Sequence, residues 1–183
     1  MRNAVKIMLV FAMFIGLVNY SQAQRAYAKG DLDLKLGFGI NSSTGFTPVY
    51  FGGNYMILEF LSAGAEVDFR IDSHKYYYFG GSTKYNTTGF AFITYGDYHF
   101  NELLNIPAEF DVSAGIDLGI AFYSGSYTDY WGVKYKDNNT YFLVGPHVGG
   151  KWFFSEKFGL HAKAGFRSND GAVFQFGITM KMK

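Results

Sequence analysis

In the stretch "FDVSAGIDLGIAF", Phe110 to Phe122, every second residue is apolar: Phe110, Val112, Ala114, Ile116, Leu118, Ile120 and Phe122. Between them lie Asp111, Ser113, Gly115, Asp117, Gly119 and Ala121. A period of two sends alternate side chains to opposite faces of an extended chain, which predicts a β-strand. The same period predicts strand one at Asp31–Ile40, two at about Pro48–Ile57, three at Leu61–Ile71 and four at about Phe90–Phe100. Strand five covers about Glu109–Tyr123, six about Tyr141–Trp152, seven Gly159–Arg167 and eight Ala172–Met182. Most reach the about 9–11 tilted residues with which a β-strand crosses a bilayer.

In this register the apolar rows hold no Asp, Glu, Lys or Arg. The opposite rows carry Asp33, Lys35, Glu66, Asp68, Arg70, Asp111, Asp117, Lys151, Lys163, Arg167 and Lys181. A soluble barrel would turn the apolar row inward and a membrane barrel outward, so residue size has to decide. The polar rows are rich in Gly and Ser, including Gly37, Gly39, Ser62, Gly64, Ser113, Gly115, Gly119, Gly165 and Gly177, whereas the apolar rows hold Leu, Phe, Ile, Val and Met. An eight-stranded barrel has an interior just wide enough for side chains, which favours small residues inside and bulky ones outside. Aromatic residues near strand ends, Tyr95, Tyr98, Phe100, Phe122, Tyr123, Trp152, Phe153 and Phe158, read as interfacial girdles.

The connections alternate in length. Residues 41–47, 73–89 and 124–140 read as long outer loops, 58–60, 101–108 and 153–158 as shorter inner ones, and Ser168–Gly171 as a tight turn. Pro146 inside strand six cannot donate to a ladder, which predicts a bulge or bend there.

The amino terminus has a different pattern. Arg2 and Lys6 precede the apolar run Ile7–Val18, and Ser21-Gln22-Ala23 supplies small residues for cleavage. This predicts a signal peptide over residues 1–23 and one mature domain over 24–183. The run is shorter than the roughly 20 residues of a membrane-spanning helix. The chain has 16 basic and 15 acidic residues, and without Arg2 and Lys6 the balance is slightly acidic, which argues against nucleic acid as a partner. It has no cysteine, which excludes disulfides, thiolate metal sites and a lipidated cysteine.

The segments "YMILEFLSAGAEVDF" (Tyr55–Phe69), "VGPHVGGKWFFSEKFGLHAKAGF" (Val144–Phe166) and "FQFGITMKM" (Phe174–Met182) resemble the small outer-membrane β-barrel proteins of Bacteroidetes, often labelled porin-family. The resemblance spans nearly the whole mature chain and rests on glycine and aromatic patterns, so it speaks to fold rather than to activity. Together with the alternation it leads to an all-β, eight-stranded antiparallel up-and-down transmembrane barrel in the bacterial outer membrane. The expected partners are outer-membrane lipid, lipopolysaccharide and the barrel-assembly machinery, and the expected state is a monomer.

Little in the chain points to catalysis. Asp72, Ser73 and His74 are adjacent on an extended segment and alternate faces, so they do not form a relay by themselves. His74, His99, His147 and His161 lack metal-ligand spacing. No catalytic residue, metal or cofactor is expected. Asp33, Lys35, Glu66, Asp68, Arg70, Asp111, Asp117, His147, His161, Lys163 and Arg167 are expected to form a polar network that plugs the lumen. Within it Asp33, Glu66, Arg70 and Lys163 are expected to pair, and His147 and His161 to meet. Tyr76, Tyr77, Tyr78, Tyr127, Tyr130 and Trp131 are candidate loop contacts. The function expected is structural or surface interaction, by adhesion, glycan binding or envelope contact. A narrow solute channel and a lipid-modifying enzyme are the alternatives.

Overall fold

The computed structural model describes residues 27–42, 49–78, 81–128 and 133–182, except for the side chains of residues 72–85. The expected signal peptide therefore lies outside the described residues. The period-two segments form β1 (Leu32–Asn41), β2 (Val49–Leu58), β3 (Leu61–Tyr78), β4 (Gly81–His99), β5 (Phe110–Thr128), β6 (Lys134–Phe153), β7 (Phe158–Arg167) and β8 (Gly171–Met182). Each strand pairs antiparallel with its neighbours in sequence. β1 also pairs with β8, from Leu32 opposite Met182 to Asn41 opposite Val173, and so closes the barrel. Closure removes the unpaired edges that hydrocarbon does not tolerate.

The amphipathicity is that of a protein whose outer solvent is apolar. Leu36, Phe38, Phe51, Phe69, Phe92, Ile116, Leu118, Val148, Phe176 and Ile178 are exposed on the outside, whereas the charged residues of the opposite rows are buried, apart from the partly buried Lys163 and Lys181. In water such a continuous apolar surface would drive association; against lipid it is the required face.

The connections between β2 and β3, β4 and β5, and β6 and β7 lie at one end of the barrel, here called the turn end. They include a single helical turn, α1 (Asn101–Leu104), which Asn105 terminates in the left-handed region at φ 49°. The opposite, hairpin end departs from expectation. Residues 73–89 and 124–140, read above as loops, are largely strand: β3 and β4 pair as far as Tyr78 opposite Gly81, and β5 and β6 as far as Thr128 opposite Lys134. β4 and β5 pair from Tyr85 opposite Tyr127, so the four extensions form one sheet. This wing rises above a rim where β1, β2, β7 and β8 have already ended. Membrane thickness limits the lipid-facing part of a strand, but hydrogen bonding continues beyond it in water.

Pro146 produces no bulge. β6 runs unbroken to Phe153, and its pairing with β7 keeps one register on either side of the proline, with His147 opposite Gly165 below and Ser168 N donating to Val144 O (2.9 Å) above. The lost donor is tolerated because the adjacent pairs hold the strands together. The aromatic girdle is also thinner than expected. Tyr95 and Phe153 are buried inside the barrel, and Tyr123 is partly buried there.

Candidate functional site

The inward rows bring the charged residues into a filled lumen. Near the hairpin end Arg167, on β7, sits among carboxylates from three other elements. Its Nη2 donates to Glu66 Oε1 (2.6 Å) and its Nε to Asp117 Oδ2 (2.6 Å), while Nη1 lies 3.5 Å from Asp68 and 4.0 Å from Asp170. Arg70 donates to Asp68 (3.0 Å), to both oxygens of Asp170 (2.7 and 2.9 Å) and to Tyr123 Oη. Asp170 belongs to the β7–β8 turn, so this fork ties that turn across the mouth to β3. Lys163 donates to Glu66 Oε2 (3.0 Å) and stands 3.6 Å from Asp117. Gln175 also donates to Glu66 (3.0 Å).

At mid-depth His147 lies between two carboxylates, with Nε2 2.7 Å from Asp97 and Nδ1 2.9 Å from Asp117. Asn54 donates to Asp97 (3.2 Å). Space for this cluster comes from two glycines: a Cβ on Gly115 would collide with Asp97, and one on Gly64 with Asn54 and the Tyr95 ring. Lys35 donates to Tyr95 Oη (3.2 Å) with its ammonium 4.8 Å from the ring centre. His161 bonds Tyr50 Oη.

At the turn end Lys151 pairs with Asp33 (2.7 Å) and Asp111 (3.3 Å), and His99 Nδ1 is 2.7 Å from Asp111. Tyr27, just ahead of β1, inserts its ring into this mouth between Met56 and Phe153. The ring lies under the ammoniums of Lys151 and Lys181, each 4.5 Å from its centre. Its hydroxyl donates to Asp33 (3.1 Å) and accepts from Lys151 (2.8 Å). Burial, opposed by Lys151, pushes the Tyr27 phenol well above its ordinary pKa.

Some expected pairings are corrected. Asp33 pairs with Lys151 rather than with Arg70 or Lys163, and Arg70 takes Asp68 and Asp170. Among the expected four, Glu66 and Lys163 do pair. His147 and His161 do not meet, because one faces the β4–β5 side of the lumen and the other faces β2. The lumen is also less uniformly polar than the rows implied, with Ala91, Ile93, Tyr95, Ala121 and Leu143 forming an inward apolar patch.

Sequence reasoning put Lys151 in a polar row but left it out of the network, together with Asp97, His99, Asp170 and Tyr27. In "FAFITYGDYHF" both rows are largely apolar or aromatic, so alternation barely marks Asp97 and His99, while Asp170 and Tyr27 lie outside any strand. Of the candidate loop contacts, Tyr127 sits on the wing, stacked on Tyr135 with ring centres 4.9 Å apart. The side chains of Tyr76, Tyr77 and Tyr78, and the whole of Tyr130 and Trp131, lie outside the described residues. Among the described residues, no group of His, Asp and Glu has the arrangement of a metal site.

An apolar exterior, a closed eight-strand ladder and a charged, filled interior define a small barrel of the outer-membrane type. No family model and no curated protein sequence matches the chain. Among solved structures it is similar to Ail, the attachment invasion locus protein of Yersinia pestis. There the TM-score is 0.60 at 9% identity, covering 84% of this chain and 99% of that one. It is similar also to the complex of Ail with the heparin analogue sucrose octasulfate, with a TM-score of 0.57 at 9% identity over 83% of this chain and 97% of that one. The outer membrane protein OprG of Pseudomonas aeruginosa gives a TM-score of 0.53 at 10% identity, covering 87% and 99%. At such identities the likeness is one of fold.

Proposed function

We propose that the chain is exported by a signal peptide ending at Ala23, that residues 24–183 insert into a bacterial outer membrane as a monomer, and that the barrel acts in surface interaction rather than in transport or catalysis. The reading is carried by the distribution of material in the molecule. The lumen is occupied from Tyr27 to Asp170 by paired side chains, while the elongation of the fold lies in a four-stranded wing beyond the rim. Long hairpins on such barrels face outward and short turns face the periplasm, which sets the wing on the cell surface. The apolar exterior then contacts lipid and lipopolysaccharide.

The absence of cysteine makes a direct test simple. A Ser126→Cys variant on intact cells should react with a membrane-impermeant maleimide, and the purified barrel should show no regular conductance steps in a planar bilayer. Labelling that requires lysis would defeat the surface assignment, and discrete steady channels would defeat the closed lumen.

A further inference from the structure

Across the rim the amphipathicity of the sheet inverts. Below it, even-numbered residues of β5 and β6 face outward and are apolar: Ile116, Leu118, Phe122, Phe142, Val144 and Val148. Above it, the same outward rows become Ser124, Ser126 and Thr128 on β5 and Lys134, Lys136, Asn138 and Thr140 on β6. The inward rows change in the opposite sense. The charged residues of the lumen give way to Tyr123 and Tyr127 on β5 and to Tyr135 and Tyr141 on β6. An aromatic belt meant for lipid headgroups would continue the outward row. These four tyrosines instead share the lumen-facing parity and look over the mouth, on a part of the sheet whose outer face is hydrophilic.

The rings form two pairs along this face, separated by Gly125 and Asp137. Tyr123 packs on Tyr141 (5.8 Å between centres) and Tyr127 on Tyr135 (4.9 Å, 14° between planes). Tyr123 lies over Gly89, where a Cβ would come within 2.8 Å of the ring, and its hydroxyl anchors its pair to the Arg70–Asp170 fork at the mouth. Tyr123 and Tyr127 are four residues apart on one strand, about 13 Å. Tyr127, Tyr135 and Tyr141 remain between about a third and a half exposed. Beside them Asn139 Nδ2 donates to Asp137 Oδ2 (2.9 Å), a pair that presents amide and carboxylate groups to the same face. Above the buried Arg70, the described β5 and β6 residues of this face are Tyr123, Gly125, Tyr127, Tyr135, Asp137, Asn139 and Tyr141, with neither lysine nor arginine among them.

We infer that this tyrosine face is a binding surface for a neutral glycan laid across the outer mouth, an inference that rests on the surface-interaction reading above. The partly exposed tyrosine rings match the C–H faces of pyranose sugars, and Asp137, Asn139 and the phenol hydroxyls match their hydroxyl groups. A protein partner would be expected to seat aliphatic or aromatic anchors in an apolar centre, whereas between the two tyrosine pairs this face carries Gly125, Asp137 and Asn139. The carboxylate of Asp137 opposes polyanions, and Lys134 and Lys136, which would attract them, point to the other side of the sheet.

The test is calorimetric titration of the folded full-length barrel in detergent with cellohexaose, maltohexaose and chitohexaose, with sucrose octasulfate as the polyanionic comparison. At least one neutral hexasaccharide should bind. Tyr127→Ala/Tyr135→Ala should weaken that binding at least tenfold, and Tyr141→Ala, which leaves the Tyr127–Tyr135 pair in place, should weaken it severalfold. Lys134→Ala/Lys136→Ala should leave it within twofold. Heat-modifiable gel mobility confirms that each variant is folded. The inference is overturned if none of the three neutral sugars binds, if both tyrosine variants bind as the parent does, or if only sucrose octasulfate binds and does so through the lysines. Each of those results leaves the Ser126→Cys labelling and conductance tests of the broader reading untouched.

Discussion

Arg167 offers the sharpest test of how the lumen is held. Its side chain is 1% exposed and makes two contacts of 2.6 Å, to Glu66 and Asp117, with Asp68 at 3.5 Å. Replacing it by methionine keeps much of the volume and removes the charge. Breaking a buried ion pair by deleting one partner costs about 3–5 kcal/mol, because the remaining charge is stranded away from water. Here each stranded carboxylate retains a partner: Glu66 keeps Lys163 (3.0 Å), Asp68 keeps Arg70 (3.0 Å) and Asp117 keeps His147 (2.9 Å). The cost for Arg167→Met should therefore fall near the lower end, about 3 kcal/mol. With a urea dependence of about 2 kcal/mol/M, the midpoint of reversible unfolding in detergent should drop by about 1.5 M. Arg167→Lys keeps the charge but not the fork, and should lie between the parent and the methionine variant. Pairing Arg167→Met with Glu66→Gln should recover part of the loss, since one stranded charge is removed. A loss below about 1 kcal/mol, the scale of exposed pairs, would refute the picture of a desolvated hub.

Three further outcomes are expected. Gly177→Val should prevent closure of the β1–β8 seam, because a Cβ there would collide with the Leu36 carbonyl and come 2.6 Å from Gly37 Cα; the sign is loss of heat-modifiable mobility. Gly96→Ala, whose Cβ would have its nearest neighbour at 3.9 Å, should change stability by no more than about 0.5 kcal/mol. Tyr27→Ala removes the ring between Met56 and Phe153 and should cost about 3 kcal/mol in the same urea assay. Because the folded-state pKa of Tyr27 is raised, its stabilisation is complete below about pH 10, where the unfolded phenol titrates, and is lost as the pH climbs through the folded value. Alkaline titration of stability should accordingly be flatter in Tyr27→Phe, and an unchanged profile would count against a buried phenol at the turn end.

The strand count and the facing of each row were legible because a barrel side chain meets one of two very different surroundings. Asp111 and Asp117 alternate with Phe110, Ile116 and Leu118, and only one assignment puts the bulky residues where there is room. The hairpin extensions were harder to read. "YNTTGF" and "SGSYT" lack the apolar row that lipid imposes, so they resemble loops although their backbones stay paired well beyond the rim. The inversion at Phe122–Tyr123 was present in the same letters, but it means something only once the strands are known to continue through it.

Local alternation and short connections were enough to read the all-β class, the eight strands and their order, and the inward rows of the most polar strands, though not the inward places of Tyr95, Asp97 and His99. Tertiary structure decided who meets whom inside. Arg70 and Asp170 are 100 residues apart in the chain, and Lys151 and Tyr27 are 124 apart. Such contacts depend on the stagger at which eight tilted strands close and on a segment ahead of β1 that folds back into the mouth. A period of two carries neither quantity, because it records only which way each side chain points and not how far along the barrel axis it sits.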